Sequence, residues 1–321
     1  MNVYFAPLEG VTDVVYRRVH HACFSGVQKY FIPFISPTQH LTFNSREQRQ
    51  ISPAENAGVP AVPQILTKNA EHFIWMAQML QDAGFNEINL NLGCPSGTVT
   101  AKGKGSGMLR DRDALQRFLD DIFARSPIPI SIKTRVGYDS PDEWPALLAL
   151  FARYPVHELI VHPRTRAAFY GGQPHRDLCQ SVLSDTDLPF VYNGDLFTAA
   201  DCCGFLDAFP GTKALMLGRG LVANPALAQS LNGGAPLTLS ALRAFHDRLY
   251  AAYLECWPQK AVVGHMHEIM KYVLCCFEDP QKPRKALRKA TSLEAYSDAV
   301  DVLFETRRLT ENPGFITGTK V

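Results

Sequence analysis

The chain has 321 residues, enough for one large domain and a smaller one. Its hydrophobic content of 46% is ordinary for a globular protein, and its formal net charge of +1 excludes a basic field over the whole surface. No run of about 18 uncharged apolar residues occurs, so we expect no membrane helix. The N-terminal MNVYFAPLEG has no basic segment before an apolar one, so we expect no signal peptide.

The eight cysteines are scattered singly or as the neighbours Cys202–Cys203 and Cys275–Cys276. None is spaced as C-x-x-C, and no cysteine–histidine set has zinc spacing. This usage is typical of reduced thiols in the cytoplasm. We therefore expect a cytoplasmic protein without a metal site.

Strand-like segments alternate with helical ones over the first two thirds of the chain. The helical spacing covers Ala70–Ala83, Arg112–Arg125, Pro141–Tyr154 and Thr198–Phe209, whereas the stretch from Ser36 to Pro60 shows no helical pattern. Strand–helix alternation with eight strands predicts the α/β class and a closed (β/α)8 TIM barrel. The predicted strands are Val3–Pro7, Tyr30–Ile35, Ala61–Leu66, Glu87–Leu92, Pro129–Thr134, Glu158–His162, Phe190–Asn193 and Ala214–Leu217.

The segment after the fourth predicted strand carries the clearest chemical signal. Cys94 follows Asn91 at the carboxyl end of that strand, and Asn89 shares the face of Asn91. A glycine-rich stretch up to Gly107 predicts a mobile loop over this end of the sheet, before a helix that begins near Asp111. A lone cysteine is often only a small buried hydrophobe. Two asparagines in an apolar strand, which need polar partners, favour a functional site instead.

Polar residues recur at the ends of most predicted strands. The carboxyl ends of barrel strands meet on one face, where barrel enzymes have their active sites. Each residue alone has a structural alternative, such as a solvated lysine or a hydrogen-bonded histidine. Glycine turns after the seventh and eighth strands predict a phosphate site, with a short helix over Leu221–Leu231. The residues expected to converge are Gln64, Asn91, Cys94, Lys133, Arg135, His162, Arg164, Asn193 and Arg219.

The strand pattern stops at the Gly- and Pro-containing stretch 232–236, which predicts a barrel domain over residues 1–234 and a helical domain over 235–321. Ser240 is expected to cap the first helix of this second domain. One helix carries a basic cluster that is either a solvated face or a contact surface for phosphates of RNA. The predicted helices are Ser240–Cys256, Gln259–Phe277, Lys282–Ala290 and Leu293–Leu309, and the basic cluster is Lys282, Arg284, Lys285, Arg288 and Lys289.

Seven motifs occur in an order that matches a known family. They are APLEGVTD, PQIL, NLGCPS with its glycine-rich sequel, KTRVG, VHPRT, NGD and LGRG. With them the chain resembles the tRNA-dihydrouridine synthases, and its N-terminal motif is most similar to bacterial members of the C-type subgroup. The resemblance implies an FMN-containing (β/α)8 barrel that reduces the C5–C6 bond of uridines in tRNA with NADPH or NADH, and a C-terminal helical domain.

The resemblance also implies roles for individual residues. Hydride would pass from flavin N5 to C6 of the uracil, and Cys94 would donate the proton to C5. Substrate contacts are implied for Asn91, with Arg135 and Arg164 as further candidates, while Arg284, Lys285, Arg288 and Lys289 of the basic cluster are expected to contact the tRNA backbone. The implied flavin contacts are Pro7, Leu8, Glu9, Gln64, Lys133, His162, Asn193, Gly194, Asp195, Gly218 and Arg219.

Two other functions stay open from the sequence. One is an FMN barrel oxidoreductase that acts on a free pyrimidine, similar to the dihydroorotate and dihydropyrimidine dehydrogenases. The other is a non-catalytic RNA-binding protein on a barrel scaffold. The basic cluster argues against the first and the retained Cys94 against the second. We expect the protein to be a monomer.

Overall fold

A computed structural model describes residues 1–38, 40–311 and 313–314. Eight parallel strands pair in chain order and close into a barrel, with β1 paired to β8. Each strand overlaps a strand expected from the sequence, so the predicted (β/α)8 barrel is confirmed. The strands are β1 (Val3–Phe5), β2 (Val27–Ile35), β3 (Ala61–Ile65), β4 (Ile88–Leu92), β5 (Ile130–Gly137), β6 (Leu159–Thr165), β7 (Phe190–Tyr192) and β8 (Ala214–Leu217).

Helices in the connections between strands cover the barrel. The stretch between Ser36 and Pro60 does contain a helix, which opens with a capping box between Asn44 and Glu47. It has six residues and buries only Gln50, so its sequence shows no apolar period. The single helix expected over Leu221–Leu231 is two short ones. The helices are α1 (Val14–Cys23), α2 (Ser45–Gln50), α3 (Ala70–Asp82), α4 (Gly97–Thr100), α5 (Arg112–Arg125), α6 (Trp144–Phe151), α7 (Cys179–Asp185), α8 (Ala199–Ala208), α9 (Arg219–Ala223) and α10 (Leu227–Leu231).

The glycine-rich segment after Cys94 is folded, so the expectation of a mobile loop is wrong. It forms α4 and then a 3₁₀ helix, Gly105–Arg110, of which the first five residues are buried. The Ser106 hydroxyl donates a hydrogen bond of 2.7 Å to the Cys94 carbonyl oxygen, and the Ser106 N–H donates another of 3.2 Å. The segment therefore forms a fixed wall beside the cysteine.

Four further helices follow the barrel: α11 (Leu239–Cys256), α12 (Gln259–Val273), α13 (Gln281–Lys289) and α14 (Leu293–Thr306). The expected Ser240 cap is wrong, because the Thr238 side chain accepts the N–H of Ala241 and begins α11. Helix α11 packs on α1, where the Tyr253 hydroxyl donates a 2.9 Å hydrogen bond to the Asp13 carboxylate. This contact fixes the helices against the side of the barrel.

Candidate active site

A cavity of about 250 Å³ lies at the carboxyl ends of the strands. All eight strands or the turns that follow them contribute to its lining, as expected for a barrel enzyme. The resemblance implies cofactor or substrate contacts for fourteen barrel residues, and thirteen of them line this cavity. The exception is Arg164. Cys94, the expected proton donor, also lines the cavity. The lining includes Pro7, Leu8, Glu9, Gln64, Asn91, Cys94, Lys133, Arg135, His162, Asn193, Gly194, Asp195, Gly218 and Arg219.

A chain of polar side chains fills one side of the barrel below the cavity. The strand register places Gln64 beside Asn89, and Asn89 beside Ser131. Asn91 donates to the Gln64 oxygen at 2.7 Å, and Gln64 donates to the Asn89 oxygen at 2.8 Å. Asn89 donates to Ser131 at 2.9 Å, and Ser131 donates to the Glu87 carboxylate at 2.6 Å. Every buried amide of this polar chain is therefore satisfied, and every donor points toward Glu87.

The polar chain ends in an ion cluster at the opposite end of the barrel. Lys29 lies between two carboxylates, 2.6 Å from Glu87 and 2.9 Å from Glu158, and Lys213 is 3.0 Å from Glu158. Burial raises the pKa of Glu158, but hydrogen bonds and charge from Lys29 outweigh burial and lower this pKa below its usual value. The cluster holds Glu87 in place as the terminal acceptor of the polar chain.

Asn91 fixes the backbone that carries Cys94. The Asn91 side-chain oxygen accepts the N–H groups of Gly93 at 3.1 Å and of Cys94 at 2.9 Å. Burial raises the pKa of the Cys94 thiol, against the opposing effects of a backbone hydrogen bond from Ser96 and the charges of Arg135 and Lys133. The thiol is therefore protonated at neutral pH and occupies a fixed place in the cavity wall.

Lys133 brings an amine without a protein partner into the cavity. No described residue forms a hydrogen bond or ion pair with its Nζ. Burial, followed by repulsion from Arg135, lowers its pKa to about 7. A buried cation of this kind is costly until an anion approaches it. The cavity therefore favours a ligand that has negative charge near Lys133.

His162 is neutral, and its tautomer is fixed by an arginine. Burial lowers its pKa well below the usual value, and the charges of Arg135, Lys133, Arg164 and Arg219 act in the same direction. Arg164 lies 3.2 Å from Nε2 of His162. A guanidinium only donates, so Nε2 is the acceptor and the proton is on Nδ1. The ring offers an N–H donor at Nδ1.

Asp195 joins two arginines at the wall of the cavity. Its carboxylate pairs with Arg164, at 2.6 Å, and with Arg219. These pairs lower the pKa of Asp195 despite burial, which acts in the opposite direction. Arg164 is 1% exposed and also donates to the carbonyl oxygens of Gly171 and Gly172. Arg164 thus holds Asp195 and the loop after β6, and its contact with substrate stays a prediction.

Arg135 lines the cavity, and two of its three guanidinium nitrogens donate to backbone carbonyl oxygens. Its Nε donates to the Gly93 carbonyl oxygen at 2.9 Å. One terminal nitrogen donates to the carbonyl oxygens of Thr165 at 2.8 Å and Phe169 at 2.7 Å. Arg135 therefore ties the backbone beside Cys94 to the loop after β6. A direct contact between Arg135 and substrate stays a prediction.

The turn after β7 leaves a backbone donor at the cavity. Asn193 donates its side-chain N–H to the Met216 carbonyl oxygen at 2.8 Å, which ties this turn to β8. A Cβ at Gly194 would collide with the Tyr192 hydroxyl, so only glycine fits there. No described residue accepts the N–H of Gly194. With Arg219 beside it, this turn suits an anion.

The sequence reasoning missed the aromatic part of the cavity wall. Tyr170 lies between two guanidinium groups, with Arg135 at 5.5 Å and Arg219 at 5.2 Å from its ring centroid. Tyr272 of α12 also lines the cavity, so the helices after the barrel contribute to the site. Its position within an ordinary apolar helix pattern gave no sign of this. The aromatic lining residues are Phe34, Tyr170, Phe197 and Tyr272.

The basic cluster on α13 lies outside the cavity. Pro283 and Leu287 bury one face of this helix, while its basic side chains lie on the exposed or half-buried face. None of these side chains forms an ion pair with a described residue. Over the described part of the chain, no helix is long and apolar enough to span a membrane, and no three potential metal ligands are grouped together.

One cavity at the carboxyl ends of a closed barrel contains a thiol donor, an unpaired amine and a neutral imidazole. This combination defines the class of protein: the chain is a (β/α)8 barrel enzyme. The chain belongs to the dihydrouridine synthase family, because the family model described as Dihydrouridine synthase (Dus) matches residues 4–306. The resemblance seen in the motifs is thereby confirmed at the level of the family.

Curated relatives agree with this assignment, and a solved structure agrees with the fold. tRNA-dihydrouridine synthase B of Pasteurella multocida (strain Pm70) is 26% identical over 227 residues, 70% of this chain and 67% of that protein. The probable tRNA-dihydrouridine synthase 2 of Bacillus subtilis (strain 168) is 30% identical over 236 residues, 68% of this chain and 69% of that protein. Morphinone reductase shares the fold, with a TM-score of 0.51, 15% identity and coverage of 73% of this chain and 86% of that chain. The C-type subgroup stays a prediction.

Proposed function

We propose that this protein reduces uridines of tRNA to dihydrouridine, with FMN as its flavin and NADPH or NADH as the reductant. The observation that carries this proposal is the protonated Cys94 thiol, which Asn91 fixes in the wall of a cavity shared with Lys133 and His162. Reduction of a C5–C6 double bond needs one hydride and one proton. FMN, when bound, supplies the hydride.

The residues present fit FMN. Its phosphate needs hydrogen-bond donors, which the Gly194 N–H and the Arg219 guanidinium offer, and Asp195 orients Arg219. The reduced flavin carries negative charge at its pyrimidine edge, which suits the unpaired Lys133 amine. We assign the flavin ring to Pro7, Leu8, Glu9, Gln64, Lys133 and His162, and the phosphate to Asn193, Gly194, Asp195, Gly218 and Arg219.

Cys94 is the proton donor in this proposal. A raised pKa keeps the thiol protonated at neutral pH, so it can protonate C5 of the uracil. His162 can donate its Nδ1 proton in a hydrogen bond to a uracil carbonyl oxygen, where negative charge develops. Asn91 and Arg135 hold the Cys94 backbone from two sides. Their main contribution is thus the position of the thiol.

We assign tRNA recognition to both parts of the chain. Residues 1–234 would form the catalytic barrel, and residues 235–321 a helical domain that contacts the tRNA backbone through Arg284, Lys285, Arg288 and Lys289. The target base is part of a folded RNA, so it must leave its stack to enter the cavity. Tyr272 of α12 would meet it there. The proposal takes the protein as a cytoplasmic monomer.

The test is the formation of dihydrouridine in an unmodified tRNA transcript by the flavin-loaded protein and NADPH. We expect wild type to reduce the transcript, and Cys94→Ala to bind it but lose about 10²–10⁴ in rate. Cys203→Ala, at an exposed cysteine, is the matched control and should keep wild-type activity. Reduction of free uracil or orotate in preference to tRNA would favour a free-pyrimidine enzyme. An unaffected Cys94→Ala variant would remove Cys94 as the proton donor.

A further inference from the structure

The loop after β6 exposes two neighbouring aromatic side chains at the edge of the cavity. Phe169 is 42% exposed and Tyr170 is 47% exposed, and no other aromatic residue of the described chain is as open. Tyr170 lines the cavity, whereas Phe169 lies just outside its lining. Two adjacent exposed aromatic rings at the mouth of a cavity form an apolar patch of the kind that marks a ligand-binding surface.

The backbone of Phe169 is in a conformation that favours glycine. Its φ is +51°, in the left-handed region that side chains with a Cβ rarely adopt. The conformation is held by Arg135, which donates to the Phe169 carbonyl oxygen at 2.7 Å. The same guanidinium donates to the Gly93 carbonyl oxygen, next to Cys94. The strained residue is thus fixed relative to the proposed proton donor, and strain held this firmly is typical of functional positions.

A cation accompanies the exposed ring. The Arg166 guanidinium lies 5.3 Å from the centroid of Phe169 and 5.2 Å from that of Tyr138. Arg110 lies 4.9 Å from the other ring, that of Tyr138. Neither arginine forms an ion pair with a carboxylate of the described residues. An exposed aromatic ring with one guanidinium against it and a second nearby matches a nucleotide, whose base stacks and whose phosphate is anionic.

We propose that Phe169 is a stacking platform for an unpaired nucleobase adjacent to the base that enters the cavity, with Arg166 against the connecting phosphate. This inference rests on the proposed function and names a contact outside the catalytic cavity. A neighbour of the target is the fitting occupant, because Tyr170 belongs to the cavity and Phe169 is the next residue outward. Proteins that bind unpaired RNA stack its bases on aromatic side chains in this way.

Phe169→Gly is the informative variant, because glycine adopts the backbone conformation without strain. We expect its melting temperature to equal or exceed that of wild type. We expect KM for tRNA to rise about 5- to 150-fold, the range given by removal of one base stack, with the effect in KM and not in kcat. Phe169→Trp should keep the wild-type KM. Met79→Ala, at a 45% exposed position of α3, is the control for removal of an exposed apolar side chain.

The outcomes are distinct. A Phe169→Gly variant with wild-type KM overturns the stacking platform and leaves the surface to a protein partner. A variant that is less stable than wild type also overturns it, because Phe169 would then be a packing residue. If wild type forms no dihydrouridine in tRNA, the proposed function fails first, whatever Phe169 does.

Discussion

The buried amine of Lys133 predicts a specific dependence of stability on pH. Its pKa is 10.5 in an unfolded chain and about 7 in the folded protein, because burial disfavours the ammonium. Between these two values the unfolded chain binds one proton more at this site than the folded protein does. The free energy of unfolding therefore rises with pH, by about 1.4 kcal/mol per pH unit from this site. Below pH 7, and above 10.5, the contribution of Lys133 is flat.

Lys133→Met isolates this contribution, because methionine has a similar length and no titrating proton. We expect the variant to be more stable than wild type at pH 7.5 in the flavin-free protein. Between pH 7.5 and 9.0 the gap between the two proteins should close by about 2 kcal/mol, the product of the slope and the interval. Titrating groups that do not interact with Lys133 are common to both proteins and cancel in the difference.

The assay is urea unfolding of both flavin-free proteins at several pH values, with midpoints and slopes fitted together. Equal slopes against denaturant would show that both proteins unfold to comparable states. A gap that stays constant from pH 7.5 to 9.0 would refute the reasoning, since the pKa of Lys133 in the folded protein would then lie well above this interval, as it does in the unfolded chain.

Two further predictions concern ligand binding. Arg219→Ala should weaken FMN binding by about 1.5–3 kcal/mol, the value of a charge-assisted hydrogen bond, and an unchanged dissociation constant in a flavin titration would place the phosphate elsewhere. The variant with glutamine at all four proposed RNA-binding positions of the basic cluster should bind tRNA more weakly. The four positions are Arg284, Lys285, Arg288 and Lys289. The slope of log K against log salt concentration should become shallower by about 0.7–0.9 for each phosphate that the variant no longer neutralises. A wild-type slope would show that the cluster is only a solvated helix face.

The convergence of polar residues at the cavity was predictable because it depends on topology. Once eight strands alternate with helices, their carboxyl ends meet on one face, and residues such as Gln64, Lys133 and His162 must lie together. Their pairing was not predictable. Whether Arg164 faces a substrate or Asp195 is decided by rotamers and by neighbours distant in the sequence. The sequence places both residues near the rim and leaves that choice open.

The errors in local structure have similar physical causes. Thr238 and Ser240 are both hydroxyl residues at the start of α11, and only the backbone conformation shows which one caps it. The glycines after Cys94 suggest mobility, yet Ser106 hydrogen-bonds the Cys94 carbonyl oxygen and packs the segment into a wall. Tyr272 reaches the cavity because α12 packs against α9, and these two helices are distant in sequence. Local patterns do not contain such long-range packing.

The hydrogen bonds of the polar chain beneath the cavity all run in the same direction, and they connect the two ends of the barrel. Each amide gives its N–H to the next residue toward Glu87, so Asn91 can turn only its oxygen toward Cys94. Rotating one amide by half a turn would set donor against donor at one neighbour and acceptor against acceptor at the other. A carboxylate only accepts hydrogen bonds, so Glu87 fixes which of the two possible directions of donation the whole series adopts. Removal of the Lys29 amine, at the distant floor of the barrel, would weaken the fixed orientation of this series, and through Asn91 the effect would reach the backbone that carries Cys94.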